Sequence, residues 1–103
     1  MKILILFLTC ANQAEANTIS HVLLEKRLVA CVKMLPVTSQ FLWQESVDNA
    51  NEILLIMDTV DTQFERIEQE IRKVHSYQTF VLTAIEVIKS SAGVLQWVQE
   101  TLK

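Results

Sequence analysis

Polar and apolar positions divide the chain into a short series of elements. The opening run Ile3-Leu4-Ile5-Leu6-Phe7-Leu8 is apolar throughout, which suits a strand covered on both faces and predicts a first strand over residues 2–8. Asn12 is a favoured N-cap, and Ala16, Ile19, Leu23 and Leu24 then recur at helical spacing as far as Arg27. Residues 29–35 read as strand again. Pro36 cannot donate to a ladder, so it marks a bulge, a break or an edge. Strand character resumes over residues 37–43, and Gln44-Glu45-Ser46 makes a plausible turn although it has neither Gly nor Asn. A third strand over residues 47–58 follows. Thr62-Gln63-Phe64-Glu65 has the form of a capping box, and Phe64, Ile67, Ile71 and Val74 give a helical stripe ending near His75. Residues 79–88 are the fourth expected strand, and Ser90 and Ser91 precede a short helix carrying Val94, Leu95, Trp97, Val98 and Leu102. The order βαββαβ plus a terminal helix is that of an α+β, ferredoxin-like domain spanning residues 1–103.

Two features of this pattern point outside the single chain. Half of the 103 residues are apolar and only 20% are charged. A domain of this size buries only about 60 to 65% of the surface of its unfolded chain, so part of the apolar surface is expected to meet another subunit. The middle hairpin, residues 29–58, is also long for its body. Fifteen strand residues at about 3.3 Å each span ~50 Å, against a radius of gyration near 13 Å for a domain of this length. Its distal half mixes polar residues with Phe41, Leu42 and Trp43. Aromatic residues on a protruding tip are good anchors for a subunit contact, and pairing with a neighbour also removes an exposed strand edge.

Charge narrows the possible partners. The net charge is −3, and the nine Lys and Arg residues are scattered. No basic stripe suited to phosphate is present, so neither nucleic acid nor an anionic membrane surface is expected as a partner. The first apolar run is too short for a signal peptide, and no segment reaches the ~20 apolar residues of a membrane span. Cys10 and Cys31 lack CxxC spacing and read as reduced thiols, so a cytoplasmic location is expected. Gly93 is the only glycine, so no P-loop or dinucleotide fingerprint can be built, and no nucleophile motif stands out. Copper chaperones of similar topology carry CxxC after their first strand, whereas Cys10-Ala11-Asn12-Gln13 has one thiol.

Several segments together resemble the CutA family of divalent-cation tolerance proteins. They are Leu24-Glu25-Lys26-Arg27-Leu28-Val29-Ala30-Cys31-Val32, Leu35-Pro36, Ser39-Gln40-Phe41-Leu42-Trp43, Glu52 with Leu54-Leu55-Ile56, Thr59, His75-Ser76-Tyr77 and Leu95-Gln96-Trp97-Val98. The resemblance runs through nearly the whole chain. It implies a ferredoxin-like subunit in a homotrimer, a role in tolerance of copper and other divalent cations, and no enzymatic reaction. The family pattern favours Gly at Glu45, Lys at Asp58, Pro at Ser76, Glu at Val81, Gly-Asn near Ser90-Ser91 and Tyr at Val94. Several of these positions lie around the family's inter-subunit pocket.

The candidate site follows from the same residues. Cys31 matches the Cys of the family's proposed metal site. A thiolate there suits Cu(I), while the alternative is a small buried hydrophobe. His75 is either a neutral metal ligand or a cap interacting with the end of its helix. Glu52 precedes an apolar run and needs a partner, either a metal ion or a cation across a subunit boundary. Tyr77 closes the pocket or is a half-buried strand residue. Trp43 and Trp97 read first as packing anchors, Trp43 lying near the pocket, and together with Phe41 they form the expected trimer contact. His21 reads as solvated. The expected ligand is a weakly bound divalent cation such as copper, with no organic cofactor. A trimeric scaffold or signalling protein, and a small enzyme of unknown substrate, are the alternatives.

Overall fold

The computed structural model describes residues 1–103. The elements are β1 (Ile3–Cys10), α1 (Gln13–Glu25), β2 (Cys31–Trp43), β3 (Ser46–Val60), α2 (Phe64–Val74), β4 (Leu82–Glu86) and α3 (Val94–Thr101). The strands form one sheet in the order β2-β3-β1-β4, with every pairing antiparallel. This is the ferredoxin-like arrangement, with α3 added.

Register explains the core. Opposed residues of paired strands share a face, and Leu6↔Met57 and Leu8↔Leu55 place four fully buried side chains on one side of the sheet. Ala16, Ile19 and Leu23 of α1 and Ile67 and Ile71 of α2 complete the layer above them, within a cluster of 12 buried residues. The two helices are joined at Glu70, whose carboxylate accepts from Lys26 Nζ at 3.1 Å and Lys73 Nζ at 3.2 Å. On the opposite face Ile5, Phe7, Leu54 and Ile56 are half-buried, and Leu35 and Ile85 are exposed.

Both ends of α1 are fixed locally. Asn12 is extended and its side chain accepts the Glu15 N–H at 2.9 Å. At the other end Arg27 takes a left-handed conformation (φ 56°). The Leu28 N–H then reaches the Leu23 carbonyl, and the Arg27 N–H reaches that of Leu24. These are the two bonds of a Schellman motif, and the buried pair Leu23 and Leu28 supplies its apolar contact. Arg27 Nη1 also donates to the Thr101 carbonyl at 3.0 Å, tethering the end of α3.

The β2–β3 hairpin leaves the body where β1 ends. Cys10 is the last β1 residue to pair with β3, opposite Ile53, while β2 and β3 stay paired from Val37↔Glu52 out to Trp43↔Ser46. This arm makes the chain 45 Å long against 26 and 21 Å in the other directions. Gln44 (φ 50°) and Glu45 (φ 68°) form its two-residue tip, both left-handed. Such a pair defines the type I′ geometry that matches strand twist and usually carries Asn-Gly.

Of the three readings open at Pro36, the edge holds: β2 is an edge strand that runs through Pro36 without a break, and a missing donor is tolerated there. Two expectations are corrected. The capping box at Thr62 is not formed. Residues Asp61–Gln63 make a 3-10 turn, α2 begins at Phe64 without a side-chain cap, and Asp61 instead accepts the Lys2 N–H at 3.1 Å. The fourth strand is shorter than residues 79–88: Leu82–Glu86 pair along β1, and the Val87 N–H adds one last bond to the Ile3 carbonyl at 3.0 Å.

Candidate functional site

The end of β1, the start of α1 and the segment after α2 meet at the base of the arm. His75 lies just past α2 with its side chain fully buried. Its Nε2 is 2.9 Å from the Thr9 carbonyl oxygen, and its Nδ1 is 3.0 Å from the Tyr77 backbone nitrogen. A carbonyl only accepts and a backbone N–H only donates. Nε2 therefore carries the proton and Nδ1 presents its lone pair, which makes the ring neutral. Phe80 stacks on that ring at 5.2 Å, and Arg72 lies over Phe80 at 4.8 Å.

Glu15 faces the imidazole, with Oε2 3.8 Å from Nδ1. Its carboxylate accepts the Ala11 N–H at 2.7 Å and the Ser76 N–H at 2.6 Å. Burial alone pushes this carboxyl up, but the bonds from Ala11 and Ser76 outweigh it and hold Glu15 below the usual carboxylate range. Cys10 completes the group: its sulfur, a Glu15 oxygen and a His75 nitrogen all lie within 4.8 Å of one another. Burial, then the charges of Glu15 and Glu52, push the Cys10 thiol up to about 12, so it is neutral near pH 7.

Glu52 and Tyr77 form the second half of the site. Glu52 is buried on the first arm pair of β3, and Tyr77 Oη donates to its Oε2 at 2.6 Å. Burial, followed by the hydrogen bond to Glu52, raises the phenol to about 12 and keeps it a donor. A cleft of ≈ 330 Å³ opens beside them, lined by residues 11–13, 36–38 and 51–53. The arm is thus one wall of the cleft.

Of the residues expected from sequence, Glu52, His75 and Tyr77 are brought together here. Cys31 is not. It opposes Asp58 at the far end of β2, six residues from Val37, or ~20 Å along the strand. Its sulfur is 3.8 Å from Lys33 Nζ, which in turn lies 3.6 Å from Asp58. Phe41 and Trp43 stand exposed near the arm's tip and Trp97 is exposed on α3, so none of them touches the cleft. His21 is exposed and paired with Glu25 at 2.8 Å.

Sequence reasoning missed two participants, Cys10 and Glu15. Glu15 was detectable, because Asn12-x-x-Glu15 has capping-box spacing and a Glu there turns back towards the end of β1. Cys10 carried no signal beyond being a buried thiol.

A small ferredoxin-like domain with a cleft bearing Glu52 at the base of a long hairpin, backed by a buried cluster of Cys10, Glu15 and His75, is the class that fold and site define. The sequence profile of the CutA1 divalent ion tolerance protein matches residues 4–101. The chain belongs to that family. It is 33% identical over 98 residues to the divalent-cation tolerance protein CutA of Archaeoglobus fulgidus, covering 95% of this chain and 96% of that one. It is 32% identical to human protein CutA over 91% of its own length, but spans only 53% of that longer protein. Among solved structures, the A. fulgidus CutA, described as a periplasmic divalent cation tolerance protein, superposes with a TM-score of 0.95 at 32% identity, covering 98% of this chain and 99% of that one.

Proposed function

We propose that this divalent-cation tolerance protein acts as a homotrimer that binds copper or another divalent cation weakly and catalyses no reaction. One observation carries the reading. The arm that walls the cleft also bears Phe41, Leu42 and Trp43 in exposed positions, Leu42 and Trp43 for more than half of their surface. A neighbour seated on the arm buries these side chains and closes the cleft in one step. Trp97 joins the same contact, and Tyr77 and Trp43 border the pocket so formed. Cys31 of one subunit then supplies a soft donor to Glu52 and His75 of another. The separation along β2 supports this division, since one chain cannot bring Cys31 to its own Glu52.

A different reading has one observation in its favour. Both nitrogens of His75 already hold hydrogen bonds, which suits a trimeric scaffold or signalling protein with an indirect cation role. Calorimetric titration of Cu²⁺ and Zn²⁺ separates the two. Binding to the native protein that is weakened in Cys31→Ser and His75→Ala supports the shared site. Equal affinity in both variants removes those residues as ligands. The free thiols Cys10 and Cys31 support a reducing compartment such as the cytoplasm, which fractionation tests. No helix is long and apolar enough to cross a membrane.

A further inference from the structure

We propose that the cleft at the base of the arm binds a small organic molecule through a primary ammonium group, with Glu52 as its counter-ion. This goes beyond the divalent-cation reading and needs neither a metal ion nor Cys31.

Glu52 is the residue that points to a ligand. It is only 7% exposed, yet no Lys, Arg or His of its own chain forms an ion pair with it. Its one hydrogen bond comes from a neutral group, the Tyr77 phenol, to Oε2 at 2.6 Å. The other oxygen takes no bond from the chain and is still reached by water. A carboxylate offers about four lone-pair sites, and burying one without a countercharge is costly. Tyr77 therefore fixes the direction of the group and leaves Oε1 for an incoming donor. An ammonium brings three N–H donors and a positive charge, the two things this carboxylate lacks.

The rest of the cleft defines what the nitrogen is attached to. Its ≈ 330 Å³ lies at the small end of the range for ligand pockets, about 300–1,000 Å³. Glu52 is the one charged residue in the lining, which contains no Lys or Arg. Phosphates and carboxylates thus find no countercharge there and are repelled by Glu52, which disfavours nucleotides and acidic metabolites. After burial, the charges of Glu15 and Glu52 are what raise the Cys10 thiol, so both carboxylates act on the corner behind the cleft and favour a cation. Pro36 and Ile53 offer an apolar wall to a short aliphatic stem. Gln13, Thr38 and Asn51 offer neutral hydrogen-bonding groups to a hydroxyl at its far end. The ligand class is a short amine with a polar, uncharged tail, such as an amino alcohol.

Ethanolamine is the probe, titrated into isotope-labelled native protein with EDTA present and followed by amide NMR shifts. Saturable shifts are expected at the side-chain amides of Gln13 and Asn51 and at the Glu52 backbone. Ethylene glycol, which replaces the ammonium by a hydroxyl, and glycolate, which replaces it by a carboxylate, should leave these signals unmoved. Glu52→Gln should weaken ethanolamine binding by about tenfold or more, the scale of one charged hydrogen bond. Should that variant fail to fold, the map of shifts on the native protein decides, since they must centre on the cleft. Three results overturn the proposal: no saturation by ethanolamine, equal saturation by ethylene glycol, or unchanged affinity in Glu52→Gln. If a basic side chain of a second subunit already occupies Glu52, ethanolamine does not bind and Glu52→Gln lowers the mass of the assembly, which also overturns it. EDTA keeps metal out of this titration, so its failure leaves the divalent-cation reading to the calorimetry above, and failure of that reading leaves amine binding standing.

Discussion

Replacing Glu15 with Gln keeps the length of the side chain and removes its charge and one acceptor oxygen. In the native chain the carboxylate takes two backbone donors, Ala11 N–H at 2.7 Å and Ser76 N–H at 2.6 Å, and so ties the β1–α1 corner to the segment after α2. A glutamine amide has one carbonyl oxygen and an NH₂ that cannot accept, so one of the two donors loses its partner. Hydrogen bonds to charged groups contribute about 1.5–3 kcal/mol each. The Glu15 side chain is 9% exposed, but water reaches the Ser76 end, which places the loss near the lower limit, about 1.5–2 kcal/mol. For a domain of this length that lowers Tm on the order of 10 °C. Urea unfolding of both proteins at one fixed concentration measures it, since assembly couples stability to concentration. The pH dependence gives a second check. The Glu15 carboxyl lies below its ordinary value of 4.5 in the fold, so its contribution is complete above that value and is lost as pH falls through the lower folded one. The gap between native and variant should be constant near neutrality and close in acid. Equal midpoints at pH 7, or a gap that persists unchanged into acid, refute the reasoning.

Glu45→Gly should stabilise the hairpin by about 0.5–1 kcal/mol. A side chain at φ 68° costs about 1–2 kcal/mol, and the added chain entropy of glycine returns roughly half of that; an unchanged or lower urea midpoint counts against it. Ile67→Ala empties a fully buried position between α2 and the sheet and should cost about 2–5 kcal/mol in denaturant unfolding. A loss below 1 kcal/mol means that the site is not packed as described. Tyr77 is the only tyrosine, so ultraviolet titration of the folded protein should show a single phenol step near about 12 rather than 10. Because the folded value is raised, stability should fall as pH climbs from about 10 towards about 12. Glu52→Gln should bring the step down, and a native step at 10 shows that the Tyr77–Glu52 bond is not made.

The elements were legible wherever period and capping agreed. The Asn12 cap and the Ile67–Ile71 stripe each had one reading, the apolar run of β1 was better suited to a strand than to a signal peptide, and the structure follows all three. The fourth strand was over-read because residues 79–81 and 87–88 are as strand-like as Leu82–Glu86. Pairing depends on the reach of β1, which the local pattern of β4 cannot report. Thr62-x-x-Glu65 had the spacing of a capping box but lost to a 3-10 turn, with Asp61 engaged by the start of β1. That contact joins residues 59 positions apart. The site divides in the same way. Glu52, His75 and Tyr77 were legible through the family resemblance, whereas Cys10 joins them only because β1 ends beside α2.

The claim that the arm requires a neighbour is tested most directly by the mass of the purified protein in solution, measured by light scattering at micromolar concentration. Covering Phe41, Leu42 and Trp43 from the next subunit in a closed ring predicts three times the 11.8 kDa of one chain. A mass of 11.8 kDa, with the arm left bare in water, contradicts the account.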